Sequence, residues 1–327
     1  MYYSTFRRRS LFKMTTKRVA VVAVGGNALI KEKGKQSVPD QFTAASETMG
    51  YIAAMIEEGW DVVVTHGNGP QVGFILRRSE LSLHELHPVP LDYCGADTQG
   101  AIGYMFQQSL HNEFKRRGMK KQAVTVVTQC LVDKNDDAFK NPTKPIGSFL
   151  DENTAKQRMA EGKHFIEDAG RGWREVVASP IPQEIVEAAA IKKLIEHDFT
   201  VIGVGGGGIP VIEDEAGDLV GTAAVIDKDF ASSLLAREIK ADLLLISTAV
   251  EKVAINFNKP DQKNLDRITI AEAEKYIAEG HFAKGSMLPK VQAAILYLKG
   301  GGKQALITDP PNITNALAGK TGTWIVP

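Results

Sequence analysis

The stretch HGNGPQVG, residues 66–73, directly follows the apolar run DVVVT at 61–65. A Val-rich run entering three glycines, an asparagine and a proline reads as a buried strand that turns sharply into a helix. Proline suits a first helical turn, and glycine reaches conformations closed to other residues. One glycine serves an ordinary turn. Three in eight residues predict a backbone that something must approach closely.

Two other runs end in the same way. VAVVAVGGNALI places Gly25, Gly26 and Asn27 after a strand at 18–24, and TVIGVGGGGIPVI places a glycine run at 205–208 after a strand at 200–204. Further Val- and Ile-rich strands are expected at 123–129, 241–247, 304–308 and 323–326. Helical stretches alternate with them at 40–58, 97–117, 182–197, 229–239, 270–279 and 290–299. This alternation predicts an α/β fold with a mostly parallel sheet covered by helices on both faces. Parallel strands end on one edge, where such sheets bind ligands, so the three glycine loops converge there. Free backbone N–H groups beside helix N-termini make nests for phosphate. Any one loop alone reads as well as a tight strand-to-helix turn; the coincidence of three favours the anion.

Residues 131–174 break the rhythm. They are polar and turn-rich, with VDKNDDAFKNPTKPIGSF, EDAGRGWR and one short helix expected at 154–161. So long a segment inside a compact domain is usually functional, and it reads as a protruding subdomain or lid inserted between two strands.

The chain has 327 residues, 43% hydrophobic and 24% charged, enough for one large α/β core or two modest ones. Its 39 basic and 39 acidic residues balance, but Arg7, Arg8, Arg9, Lys13, Lys17 and Arg18 crowd the acid-free start. Setting those six aside leaves 33 basic against 39 acidic residues, which argues against a nucleic-acid surface. Residues 1–17 read either as an organelle presequence or as an unstructured tail ahead of Met14. Cys94 and Cys130 are too few for a disulfide framework, so a reducing, cytoplasmic setting is expected. No apolar run reaches the roughly 18–20 residues that span a bilayer.

Familiar catalytic motifs fail. GGK at 301–303 and GK at 319–320 lack the upstream spacing of a P-loop. Gly203, Gly205 and Gly208 satisfy GxGxxG, but Pro210 and an apolar run follow where a dinucleotide fold needs a helix. His84 and His87 lack partners for a metal, and there is neither GxSxG nor HExxH. Three lysines stand out by their settings. Lys228 lies between Asp227 and Asp229 at a helix start, where either carboxylate could simply be a cap. Lys290 follows Gly285 and Pro289, and Lys144 lies between two prolines in the lid. Such lysines can clamp phosphate.

The segments VGGNAL, THGNGPQVG, FKNPTKPIG, EDAGRGWR, GGGGIPV, AVIDKDFASSLLA, AVEKVAINF, GHFAKGSMLPKV and GTWI, in this order, resemble the motifs of carbamate kinases, members of the amino-acid kinase superfamily. The likeness runs from about residue 17 to 326. GGN loops are shared across the superfamily, whereas TKPIG with EDAGRGWR is specific to carbamate kinases. Ala178, where a proline is expected, is a minor departure.

The resemblance implies a three-layer αβα sandwich with a mainly parallel central sheet and a small protruding subdomain at 131–174. It implies one kinase domain at 18–327, with 18–200 holding carbamate or carbamoyl phosphate and 201–327 holding ADP or ATP. The implied reaction is reversible phosphoryl transfer between carbamoyl phosphate and ADP, with Mg²⁺ carried by the nucleotide rather than by a protein metal site. The implied assembly is a homodimer that makes ATP in arginine breakdown by the arginine deiminase route. Carried over by residue, Lys144 contacts carbamoyl phosphate, Lys228 and Lys290 neutralise the transferring phosphoryl group, and Asp229 orients them. Gly25, Gly26, Asn27, Gly67, Asn68 and Gly69 form the substrate-phosphate cradle. Gly206, Gly207 and Gly208 lie near the nucleotide phosphates, with Thr248, Ala249, Val250 and Val253 near adenosine. A sibling kinase of another acceptor and a non-catalytic sensor are the rivals; TKPIG speaks against the first and the three intact lysines against the second.

Overall fold

Arg18–Val24 has no polar residue after its first position, so it has no wet face to offer and is buried on both sides. In the computed structural model, which describes residues 18–31, 34–167, 170 and 172–327, it runs near the middle of an eight-stranded sheet. The extension at 1–17 lies outside the described residues. In spatial order the strands are Arg267–Thr269, Thr323–Val326, Gln304–Thr308, Leu243–Ser247, Arg18–Val24, Trp60–His66, Phe199–Ile202 and Gln122–Thr125. Six are parallel; Thr323–Val326 runs antiparallel to Gln304–Thr308, and Arg267–Thr269 follows it.

The strands' period of two divides the core. Val21, Ala23, Val63, Leu244 and Ile246 face one way, while Ala20, Val22, Val62, Val64 and Leu245 face the other. The second face is covered by α1 (Val38–Glu57), α3 (Leu91–Arg116) and α9 (Ile313–Leu317). The first is covered by α5 (Ala188–Glu196), α6 (Lys228–Glu238), α7 (Ile270–Ala278) and α8 (Met287–Lys299). Between them in the chain come α2 (Gly69–Leu81) and α4 (Glu152–Ala160). The three-layer α/β architecture expected from the alternation is therefore present.

Three local readings differ. The strand expected at 123–129 is two: Gln122–Thr125 closes the main sheet, and Gln129–Val132 joins a second sheet with Pro182–Ile185, Ile209–Glu213 and Leu219–Gly221. The helix expected at 182–197 starts only at Ala188, because Pro182–Ile185 pairs antiparallel with Gln129–Val132 and tertiary pairing overrides local periodicity. In and just beyond 131–174, besides α4, the chain forms an antiparallel sheet of Lys144–Leu150, Trp173–Val177 and Phe165–Glu167. Its strands show little periodicity; in Lys144–Leu150 only Ile146 is buried.

This small sheet stands on α2. A Cβ on Gly73 would lie 2.1 Å from the Cα of Gly147, so helix and strand touch backbone to backbone. Gly73→Ala is expected to destabilise the protein by about 1–3 kcal/mol through overpacking. Urea unfolding checks this; an unshifted midpoint would show that the seam tolerates a methyl group.

Candidate active site

The main sheet's six parallel strands end at Val24, His66, Thr125, Ile202, Ser247 and Thr308, and the expected glycine loops follow three of them. Above this edge α6 begins with Asp227 as its N-cap, the side chain accepting the Asp229 N–H at 2.9 Å. Lys228 is therefore the first helical residue, and Lys290 sits in the first turn of α8. Cations at helix N-termini oppose the helix dipole. Their presence at two such ends concentrates positive potential instead of relieving it.

A carboxylate holds them there. Asp229 is 3% exposed; its Oδ1 lies 2.5 Å from Lys228 Nζ and its Oδ2 2.9 Å from Lys290 Nζ. Burial favours the neutral acid, but the charges of Lys228 and Lys290 outweigh it and hold the Asp229 carboxyl well below the usual carboxylate range. Burial lowers the Lys228 amine, with Asp229 pulling it back up and Lys290 pushing it further down. Lys144 reaches the same cluster from the outgrowth, its Nζ 2.6 Å from Asp227 Oδ2. Three lysines against two aspartates leave a positive excess, which suits a phosphoryl group passing between two anions.

The glycines explain themselves one by one. Gly67 lies under the Lys228 stem, where a Cβ would be 3.3 Å from Cδ; at Gly69 it would be 3.8 Å from the Pro145 carbonyl. The Lys228 stem thus accounts for the glycine at 67. A Cβ at Gly25 would lie 3.0 Å from the Ser247 carbonyl oxygen, whereas Gly26 is exposed with open space before it. Of these four loop glycines, Gly26 and Gly69 have no protein neighbour close enough to require glycine, as ligand-facing positions would. Asn27 lies in the turn Gly26–Ala28. The Asn68 side chain turns inward, its Nδ2 donating to Thr98 Oγ1 at 2.8 Å, which leaves the backbone as its part in any cradle. Gly69 opens α2, so its N–H and that of Gln71 have no acceptor within the helix.

The second group differs from expectation. Gly206, Gly207 and Gly208 are buried at positive φ, and Cβ atoms there would strike Asn68, Ile226 and Cys130 at 2.2, 2.6 and 2.6 Å. The N–H groups of Gly207 and Gly208 already bond to the Val204 and Gly205 carbonyls at 3.1 Å. This run is glycine for packing and turn geometry. Val253 is fully buried in the core, its N–H bonded to Thr323 Oγ1 at 2.8 Å, so its side chain does not face the edge. Thr248, whose N–H bonds to the Thr308 carbonyl, and the exposed Ala249 and half-buried Val250 do border it.

Sequence reading missed Asp227 as an ion-pair partner, because its position also satisfies a cap and Lys144 lies 83 residues away. His66 is buried with its ring edge-on to Phe106, and burial lowers its pKa to about 4. A neutral ring bonded to the Gly67 carbonyl is a structural histidine, not a general base. Among the described residues no three His, Cys, Asp or Glu side chains gather as a metal site, and no helix is long and apolar enough to cross a membrane.

Known proteins match this chain over nearly its whole length. The Amino acid kinase family model matches residues 18–309. Carbamate kinase-like protein YahI of Escherichia coli is 52% identical over 95% of this chain and 99% of its own. Carbamate kinase of Thermococcus kodakarensis is 50% identical over the same shares. The structure of carbamate kinase from Giardia lamblia bound to AMP-PNP superposes with a TM-score of 0.87, at 44% identity and covering 96% of this chain and 99% of that one.

Proposed function

Since this chain belongs to the amino acid kinase family, and within it to the carbamate kinases, we propose that it catalyses reversible, Mg²⁺-dependent phosphoryl transfer from carbamoyl phosphate to ADP. The observation that carries the reading is the buried Lys228–Asp229–Lys290 cluster, with its positive excess, at the edge where the glycine loops converge. A terminal phosphate oxygen of ADP attacks the phosphorus as the bond to the carbamate oxygen breaks, and carbamate leaves. Both attacking and departing oxygens are anionic, so no proton moves and no base is needed. That is consistent with a site whose one buried histidine is neutral.

Each lysine has a distinct task. Lys228 and Lys290, held apart from one another by Asp229, meet charge that spreads over the phosphoryl oxygens. Lys144, on the outgrowth, engages the carbamoyl phosphate side and releases Asp227 as it does so. Both aspartates already carry lysine partners, which fits a Mg²⁺ ion that arrives with the nucleotide phosphates and keeps most of its ligands there. We place Gly25, Gly26, Asn27, Gly67 and Gly69 around the substrate phosphate, and Thr248 to Val250 beside the adenosine. The units 18–200 and 201–327 would thus hold the two substrates. The assembly is a homodimer, with Tyr93 and Tyr104, both exposed on α3, offered as part of its interface. The reactive acyl phosphate favours ATP synthesis in arginine breakdown, in the cytoplasm.

ATP formation by the purified protein from ADP, Mg²⁺ and carbamoyl phosphate tests the reading, with acetyl phosphate and metal-free controls. A folded protein that makes no ATP under these conditions overturns it. Two variants test the assignments. Lys144→Ala should lower kcat/KM for carbamoyl phosphate at least about tenfold while leaving KM for ADP nearly unchanged. Gly26→Ala has room for its methyl group, so its stability should stay within about 0.5 kcal/mol of wild type while KM for carbamoyl phosphate rises. Unchanged KM would remove Gly26 from the cradle.

A further inference from the structure

The HGN loop of the proposed substrate cradle and the buried glycine run packed against it follow different strands, and two consecutive side chains of α3 grip both. Thr98 accepts the Asn68 Nδ2–H at 2.8 Å. Its neighbour Gln99, 2% exposed, donates from Nε2 to the Gly205 and Thr128 carbonyls at 2.9 Å each and accepts the Thr128 N–H at 2.8 Å. The two loops also touch directly, since the Gly206 backbone leaves no room for a Cβ beside the Asn68 side chain.

The glycine run is held in a conformation it would not choose alone. Val204, which opens it, has φ 52° and ψ 36°, a left-handed conformation that strains a β-branched residue. Its N–H is fixed by Thr128 Oγ1 at 3.0 Å, and Thr128 is the residue whose N–H and carbonyl Gln99 binds. A carboxamide alone among side chains of this size both accepts one bond and donates two; an ionised Glu lacks the donors, and Met has no donor and only a weak acceptor.

We propose that Gln99 is a positioning residue for phosphoryl transfer, setting the spacing between the HGN loop and the glycine run without touching either substrate. The inference rests on the proposed reaction. A shift of the glycine run passes to the HGN loop through the Gly206–Asn68 contact and misplaces the bound substrates relative to each other, which raises the barrier to reaction while leaving each substrate's own contacts in place. The signature is therefore a fall in kcat with both KM values held.

The experiment compares Gln99→Met with Ser109→Ala, which removes another buried polar group of α3, one bonded to Ser46 and the Met105 carbonyl and remote from the loops. Steady-state kinetics are measured at a temperature where both are folded by circular dichroism. Gln99→Met is expected to lose at least about tenfold in kcat with KM for ADP and for carbamoyl phosphate within about threefold of wild type; Ser109→Ala should keep its kcat. Should Gln99→Met fail to fold, Thr98→Val breaks the same grip from the other loop and must show the same signature. Normal kcat in the folded variant, a loss confined to one KM, or an equal loss in Ser109→Ala overturns the inference. Wild-type protein without carbamoyl phosphate-dependent ATP formation overturns the proposed reaction instead.

Discussion

Alanine at Lys228 or at Lys290 is expected to lower kcat by at least about 10²-fold, at or above the loss that follows removal of one preorganised charge from a water-poor site. The expectation follows from burial. The Lys228 and Lys290 side chains are 11% and 15% exposed, so solvent screens them weakly and cannot replace them. Each variant also leaves Asp229 with one ammonium instead of two, so the folded protein should survive, and the double variant should lose less than the product of the singles because the lysines act through one carboxylate. Steady-state ATP formation with a parallel unfolding curve checks both statements. Near-wild-type turnover in either folded variant would remove that lysine from the reaction.

Much of this site can be read from the chain. The Val-rich runs mark which segments are buried strands, and a parallel sheet gathers their glycine-rich ends on one edge, so the position of the site follows from periodicity and handedness. The lysines are legible from their neighbours: Pro142 and Pro145 stiffen the loop around Lys144, and two aspartates flank Lys228.

What is not legible is long-range. Asp227 pairs with Lys144 across 83 residues, and no local pattern separates that role from helix capping. The run at 205–208 looks like a phosphate nest, yet its glycines answer to Asn68, Ile226 and Cys130, neighbours that only the fold brings together. The second sheet escapes sequence reading for the same reason: Pro182–Ile185 is a strand because Gln129–Val132 is beside it.

Asp229→Asn is expected to be the most destabilising conservative change in the site, by about 3–5 kcal/mol at pH 7, because it keeps the shape and removes the charge that two buried ammonium groups share. The dependence on pH identifies the cause. In the wild type the Asp229 carboxyl is held below its ordinary value of 3.8, so its contribution is present above that pH and is lost as pH falls through the lower, folded value. The gap between wild type and Asp229→Asn should therefore narrow in acid. On the alkaline side the variant has lost the group that pulled the Lys228 amine back up, so that amine falls further below 10.5. Above its folded value the unfolded chain binds the extra proton, and the stability of the variant should rise with pH where that of the wild type changes less. Urea unfolding of both proteins at pH 3, 7 and 9 measures this. A midpoint difference that stays constant across the three would mean that Asp229 supports the fold by packing, and that the two lysines are kept in place by something other than its charge.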